Sequence, residues 1–219
     1  MAHLKGVIWD MDALIDSRKF WLRAHSEALR MRRHTPTEQE ILEMTGLRTA
    51  EVAWHWKQRF KLDDDPDKLA VEIAGYVVQQ IGAAGSPHPG IPEVLELFTE
   101  FEIPMAVASL APPEVINAVI DRLRLRGLFR VSYSATYELC SNLHLGMYLT
   151  AARRLGVDCH DCLALCGASS GVQAALAAGM KCIAIPEEAN FRHPEIRKAD
   201  LVVHSLEGVN WDLALSLFP

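Results

Sequence analysis

Short apolar runs and longer segments with helical spacing divide the 219-residue chain into two kinds of region. The first run, Val7–Trp9, is short and continuous, which is typical of a strand that is buried on both faces. From Ser17 to Gln80, apolar residues recur three and four positions apart, which predicts one helix after another. These predicted helices are Phe20–Met31, Thr37–Met44, Thr49–Arg59 and Pro66–Ile81.

The pattern changes after residues 83–90, whose glycines and prolines predict a linker. Beyond this linker, predicted helices alternate with short apolar strands. The predicted strands are Pro104–Ser109, Val131–Ala135, Cys162–Cys166, Lys181–Ile185 and Leu201–Val203. The predicted helices are Pro92–Phe101, Glu114–Arg124, Gly146–Leu155 and Gly171–Ala178.

Strand–helix–strand units of this length predict an α/β fold with a Rossmann-like, doubly wound parallel sheet. The early helical block then forms an insertion after the first strand, and we expect it to lie over the strand ends as a cap. We therefore predict an α/β core made of residues 1–16 and 86–219, and a helical cap made of residues 17–85.

Composition narrows the classes of protein further. The net charge is −6 and basic residues form no long run, which argues against nucleic acid or an anionic membrane as a partner. No segment is apolar and long enough to span a bilayer, and the first apolar run does not look like a signal peptide. The five cysteines are an odd number, so we expect reduced thiols in a cytoplasmic protein.

Two aspartates, Asp10 and Asp12, follow the first predicted strand at a spacing of two residues. In an extended chain this spacing places both side chains on the same side. Ligands of open α/β sheets bind beyond the carboxyl ends of the strands, so we expect both carboxylates to face a ligand. Such a pair suits a nucleophile and an assisting acid or base. The alternative is that a carboxylate at this position caps the next helix.

The segment from Asp10 to Ser17 resembles the first motif of the haloacid dehalogenase (HAD) superfamily, most of whose members are phosphatases. The resemblance extends to the inserted helical block, to Ala108 and Ser109 at the end of a later strand, and to residues 199–206. The segments Thr45–Arg48 and Arg154–Val157 are most similar to the sugar-phosphate phosphatase branch. A lone pair of aspartates is weak support, but motifs along the whole chain are specific.

The resemblance implies a set of roles for particular residues. Asp10 corresponds to the nucleophile and Asp12 to the acid/base that protonates the leaving oxygen. Ser109 corresponds to the hydroxyl that holds the phosphoryl group, and Arg48 to a cap arginine that contacts substrate. Magnesium (Mg²⁺) is the cofactor of the family, with Asp10 and Asp12 among its ligands, and the partner is a small phosphorylated metabolite.

Several positions depart from the motifs of the family. Ala13 replaces the usual glycine, and the turn after the first strand is one residue short. Asn142 stands at the substrate-binding position where lysine is expected. Cys166 and Gly167 stand where the family has two acidic residues, while Asp161 precedes that strand and should lie at its opposite end.

These departures bear on catalysis because phosphoryl transfer depends on cations. Two like charges about 4 Å apart repel by about 4 kcal/mol at an effective dielectric of about 20. A phosphate dianion next to Asp10 and Asp12 therefore needs the metal and the lysine, which also stabilise the transition state. The sequence predicts an eroded active site, weak Mg²⁺ binding and weak or lost phosphohydrolase activity, as in a pseudoenzyme.

Three alternatives are open at this stage. The chain is either such an eroded enzyme, an active small-molecule phosphomonoesterase that uses Asp10 as nucleophile, or a non-catalytic module that binds a metabolite or a protein. A zinc or redox site built on Cys159, Cys162 and Cys166 is less favoured, because a closed zinc site needs four ligands in a suitable spacing.

Overall fold

The computed structural model describes residues 4–137 and 143–218. Its centre is a 6-stranded sheet with the strand order β3-β2-β1-β4-β5-β6, and every neighbouring pair is parallel. The strands are β1 (Gly6–Asp10), β2 (Met105–Ser109), β3 (Phe129–Ser134), β4 (Cys162–Cys166), β5 (Lys181–Ala184) and β6 (Leu201–Val202). This arrangement confirms the doubly wound α/β fold expected from the sequence.

Helices cover both faces of the sheet. They are α6 (Ile91–Glu100), α7 (Pro113–Arg122), α8 (Leu143–Leu155), α9 (Ser169–Ala177) and α10 (Trp211–Ser216). Trp9 of β1 faces α6 and α7, and its ring meets Phe98 edge-on with centroids 6.5 Å apart. Ile8 faces the opposite side, among buried residues of α8 and α9. Because β1 is covered on both faces, its apolar run is continuous.

Five further helices lie between β1 and β2 in the chain. They are α1 (Met11–Leu14), α2 (Arg18–Arg30), α3 (Glu38–Leu42), α4 (Thr49–Phe60) and α5 (Pro66–Ala84). Helix α5 packs against α2, α4 and also α7, so the helical insertion contacts the α/β core. The division of the chain at residues 17 and 85 stays a prediction.

The boundaries of most elements fall within a few residues of those predicted. Two short helices, α1 and α10, were not predicted, because 4 and 6 residues are too few to show helical periodicity. Asp161 lies at the amino end of β4, where its carboxylate pairs with Lys5 at 2.7 Å, as expected for the end away from the site. Across the described residues, no helix is both long enough and apolar enough to cross a membrane.

Candidate active site

The candidate site lies where β1 and β4 end side by side. The chain winds from β1 outward to β3 and then returns to the other side of β1 at β4, so this point is the topological switch of the sheet. Asp10 is in register with Ala108 of β2, and Ser109 is the next residue of that strand. Cys166 ends β4 at the same edge. Asn142 lies outside the described residues.

Asp10 is buried and points toward the layer formed by α8 and α9. A β carbon added to Gly171 of α9 would lie 3.0 Å from the Oδ2 atom of Asp10. Its Oδ1 atom accepts a hydrogen bond from the backbone N–H of Asp12 at 3.3 Å, so Asp10 caps α1. Burial, and secondarily the charge of Asp12, raise the pKa of the Asp10 carboxyl.

The expectation that Asp12 continues an extended strand is wrong. The chain enters α1 directly after Asp10, so the two side chains are not related by the two-residue repeat of a strand. The helical turn instead directs the Asp12 carboxylate to Ser17, whose hydroxyl donates to it at 2.5 Å. Burial raises the pKa of Asp12, whereas the bond from Ser17 and the charge of His88 act in the opposite direction.

Gly167 lies against the backbone of Asp12. A β carbon added to Gly167 would stand 2.8 Å from the carbonyl oxygen of Asp12, 2.9 Å from its carbonyl carbon and 3.2 Å from its β carbon. The first two distances are shorter than real β carbons tolerate, and backbone atoms cannot rotate out of the way as a flexible side chain can. The position where the family carries an acidic residue is therefore closed to any side chain while this backbone is kept.

Cys166, the other residue at an expected acidic position, belongs to the apolar layer. Its thiol is fully buried, 3.1 Å from the hydroxyl of Tyr148 and 3.6 Å from the sulfur of Cys182. Burial raises the pKa of the Cys166 thiol well above its usual value, so the thiol stays neutral. Tyr148 was not predicted to lie near the site, because its place in the helical pattern of α8 is that of an ordinary core residue.

Ser109 and Arg48 occupy the places expected for them but have protein partners. The buried hydroxyl of Ser109 accepts a hydrogen bond from the backbone N–H of Ala111 at 3.1 Å. Arg48 precedes α4 and pairs with Glu51 at 2.9 Å, while its guanidinium is 3.5 Å from the backbone oxygen of Thr136. Thr136 follows β3, so Arg48 lies between the helical insertion and the core. Their substrate contacts stay predictions.

Further acidic groups surround the pair of aspartates. Asp16 and Glu187 both contribute to the raised pKa of Asp12, although less than burial does. Glu187 follows β5 and pairs with Arg18 at the start of α2, at 2.5 Å. The charge of Arg18 is therefore already balanced by a carboxylate.

The set of oxygen ligands that the family offers to Mg²⁺ is incomplete at this site. Magnesium needs near-octahedral oxygen ligands. Within the described parts of the chain, no three or more histidine, cysteine, aspartate or glutamate side chains lie together in a way that could hold a metal ion. Gly167 and Cys166 supply no carboxylate, and Gly167 has no room for one.

Three of the four cysteines in the described part of the chain have raised thiol pKa values. Cys159, Cys162, Cys166 and Cys182 are free thiols. Burial raises the pKa of Cys159, and that of Cys162 to about 12. A reactive cysteine requires a lowered pKa, so Cys159, Cys162 and Cys166 do not favour redox chemistry.

Comparisons with known proteins identify the family. A family model described as haloacid dehalogenase-like hydrolase matches residues 7–185, so the chain belongs to this family. It is 29% identical to hexitol phosphatase B of Escherichia coli over 207 residues, which are 93% of each chain. It is 27% identical to fructose-1-phosphate phosphatase YqaB of Escherichia coli over 179 residues, 81% of this chain and 94% of the relative.

A solved structure has the same fold. The β-phosphoglucomutase of Clostridium difficile superimposes with a TM-score of 0.83 at 19% sequence identity, over 98% of this chain and 96% of that protein. The resemblance to the sugar-phosphate phosphatases of the HAD superfamily, first indicated by the motifs, is thereby confirmed.

Proposed function

We propose that this chain is a sugar-phosphate phosphatase-like member of the HAD superfamily whose phosphohydrolase activity is weak or lost. The observation that carries the proposal is the contact between Gly167 and the backbone of Asp12. This contact leaves no space for the acidic side chain that would complete a metal site. The partner that we propose is a small phosphorylated metabolite, which the relatives' names also suggest.

The electrostatics of the described site support a low rate. Asp10 is held in a buried, neutral-favouring environment, so the carboxylate needed as a nucleophile is disfavoured. Asp16 and Glu187 add negative potential at the Asp12 carboxylate and would repel a phosphate dianion that approaches Asp10, while Arg18 and Lys19 are already paired with them. Without a metal ion, this repulsion is not offset, and each 1.4 kcal/mol or so of lost stabilisation lowers the rate about tenfold.

A phosphatase assay tests the proposal. The parent protein and the Asp10→Asn variant are assayed with an aryl phosphate, hexitol phosphates and fructose 1-phosphate, with and without millimolar Mg²⁺. We expect turnover near background in the parent, with no change on Asp10→Asn. Mg²⁺-dependent turnover that disappears in Asp10→Asn would contradict the proposal and favour an active phosphomonoesterase.

The same panel separates a binding protein from an inert one. A phosphorylated sugar that raises the melting temperature in a saturable way, without being hydrolysed, would favour a metabolite-binding module. Inorganic phosphate and the unphosphorylated sugars serve as controls for this measurement.

A further inference from the structure

We propose that the short turn after β1 and Gly167 form one interlocked unit that excludes a metal ion from the site. This inference deepens the proposed function and rests on it. The missing residue of the turn and the missing acid at position 167 are two parts of a single structural change. The turn consists of residues 11–17, and Gly167 is the first residue after β4.

Contacts on one side of the turn hold it against β4. The side chain of Asp10 accepts hydrogen bonds from the backbone N–H groups of both Asp12 and Gly167. The carbonyl of Asp12 then lies so close to Gly167 that a β carbon would be only 2.8 Å from its oxygen. Only glycine fits beside the turn in this position.

Contacts on the other side prevent the turn from moving away. The ring of His88 approaches the carbonyl oxygen of Asp12 with its Nε2 atom at 3.3 Å. The backbone N–H of His88 donates to the carbonyl of Leu14 at 3.1 Å, and Ile15 forms an antiparallel bridge with Pro87. The turn is thus held between residues 87–88 and Gly167, with its ends fixed at β1 and α2.

A turn with fixed ends can make room only if it gains length. An additional residue between Asp12 and Ala13 would let the backbone arch outward and lift the carbonyl of Asp12 off Gly167. Restoring an acid at position 167 without that residue drives its β carbon into backbone atoms. The structure therefore makes the two changes interdependent, so neither alone should rebuild a cation site.

Stability measurements on four proteins test this interdependence. They are the parent, Gly167→Ala, a variant with one glycine inserted between Asp12 and Ala13, and the combination of both. We expect Gly167→Ala to lower the melting temperature by about 5 °C or more in the parent, because overpacking against backbone is costly. In the inserted background, the same substitution should lower it by less than half as much.

Gly208→Ala is the matched control. Gly208 has nothing within 4 Å of its β position, so this substitution should have the same small effect in both backgrounds. An equal loss for Gly167→Ala in both backgrounds, or no loss in the parent, would overturn the inference.

Metal binding provides a second and independent readout. Gly167→Asp combined with the insertion should show a saturable rise in melting temperature with Mg²⁺, whereas each single change should show none. A rise of the same size in Gly167→Asp alone would also overturn the inference. The interdependence of the two changes is measured from melting temperatures, which do not depend on catalysis. It can therefore be tested even if the parent proves to be an active phosphatase, so the two proposals can fail separately.

Discussion

The two carboxyl groups of the site have higher pKa values than exposed carboxyl groups, mainly because they are buried. Burial is the largest cause of the raised pKa values of Asp10 and Asp12, and the charge of Asp12 is a further cause for Asp10. The hydroxyl of Ser17 partly compensates Asp12 through a 2.5 Å hydrogen bond. The surroundings of the Asp10 and Asp12 carboxyl groups therefore differ, so substitutions at the two positions should change the free energy of unfolding differently.

Two substitutions of Asp12 should separate the destabilising effect of its buried charge from the stabilising effect of its hydrogen bond with Ser17. A raised folded-state pKa means that the ionised carboxylate opposes folding, an effect absent well below the ordinary value of 3.8 and complete above the folded pKa. Asp12→Asn keeps an acceptor for Ser17 and removes the charge, so it should be at least as stable as the parent at pH 7.

Asp12→Ala should be less stable than Asp12→Asn by about 1 kcal/mol, because Ser17 loses its acceptor. Urea denaturation measures both free energies of unfolding. A marked loss of stability in Asp12→Asn would show that the charge itself has a favourable partner.

His25 should make the protein sensitive to acid. The ring is buried in the helical insertion, accepts a hydrogen bond from Trp56 at 3.2 Å, and has its pKa lowered by burial to about 4. The unfolded chain binds this proton near the ordinary value of 6.5. The contribution of neutral His25 is therefore complete above about pH 6.5 and is lost as the pH falls toward about 4.

The comparison that isolates this effect is parent against His25→Gln, which does not titrate in this range. Between pH 7.5 and pH 5, the free energy of unfolding of the parent should fall by about 1 to 2 kcal/mol more than that of His25→Gln. His55→Gln, at an exposed position of α4, serves as a control for the replacement of a histidine by glutamine as such. Equal pH dependence in parent and His25→Gln would contradict the assignment.

At the scale of secondary-structure elements, one arginine joins several parts of the helical insertion. Arg32 follows α2 and pairs with Asp64, which precedes α5, at 2.6 Å and with Glu72 of α5 at 2.8 Å. It also donates to the carbonyl of Ala28 at 2.7 Å. Its side chain is only 17% exposed, so these interactions are shielded from solvent more than most surface ion pairs.

Removal of Arg32 should therefore destabilise the insertion, since Asp64 and Glu72 both lose their guanidinium partner. We expect Arg32→Ala to lower the free energy of unfolding by about 2 to 3 kcal/mol. Arg30→Ala is the matched control, because Arg30 is 68% exposed and pairs only with Glu27 among the ion pairs described. Its loss should cost much less than the loss of Arg32, because an exposed ion pair is screened by solvent. Similar losses for both variants in urea denaturation would contradict this view.

At the scale of the whole molecule, the helical insertion meets the core at separate points around the site. Arg18 pairs with Glu187 at one of them, and Arg48 approaches Thr136 at another. Near the second point, His144 at the start of α8 lies against Gly46. These contacts join residues of the insertion directly to residues of the core, so none of them requires a bound ion.

Magnesium should leave the melting temperature of the parent unchanged, because we expect the site to bind it weakly. A ligand stabilises the folded state in proportion to the logarithm of one plus the ratio of its concentration to its dissociation constant, so weak binding gives almost no effect. Melting temperatures in excess chelator and in 5 mM or so of Mg²⁺ should agree within about 1 °C. A clear, saturable rise with Mg²⁺ would show that the site holds the ion despite its donor set.

Local sequence patterns determined the class of fold and the place of the site. Continuous apolar runs are buried parallel strands, spaced apolar residues are amphipathic helices, and both signals come from neighbouring residues. The motif from Asp10 to Ser17 located the carboxylates at the end of the first strand and indicated the family that the comparisons confirm. Information of this kind is local, so the sequence alone carries it.

Only the tertiary structure decided how the site is built. The helical turn at Asp12 replaced an expected extended segment, because Asp10 caps the turn and Ser17 receives the second carboxylate. The contact of Gly167 with Asp12 joins two segments far apart in the chain, and no local periodicity reports such a contact. A missing acid is visible in a sequence, but whether space remains for it depends on how the backbones on both sides pack.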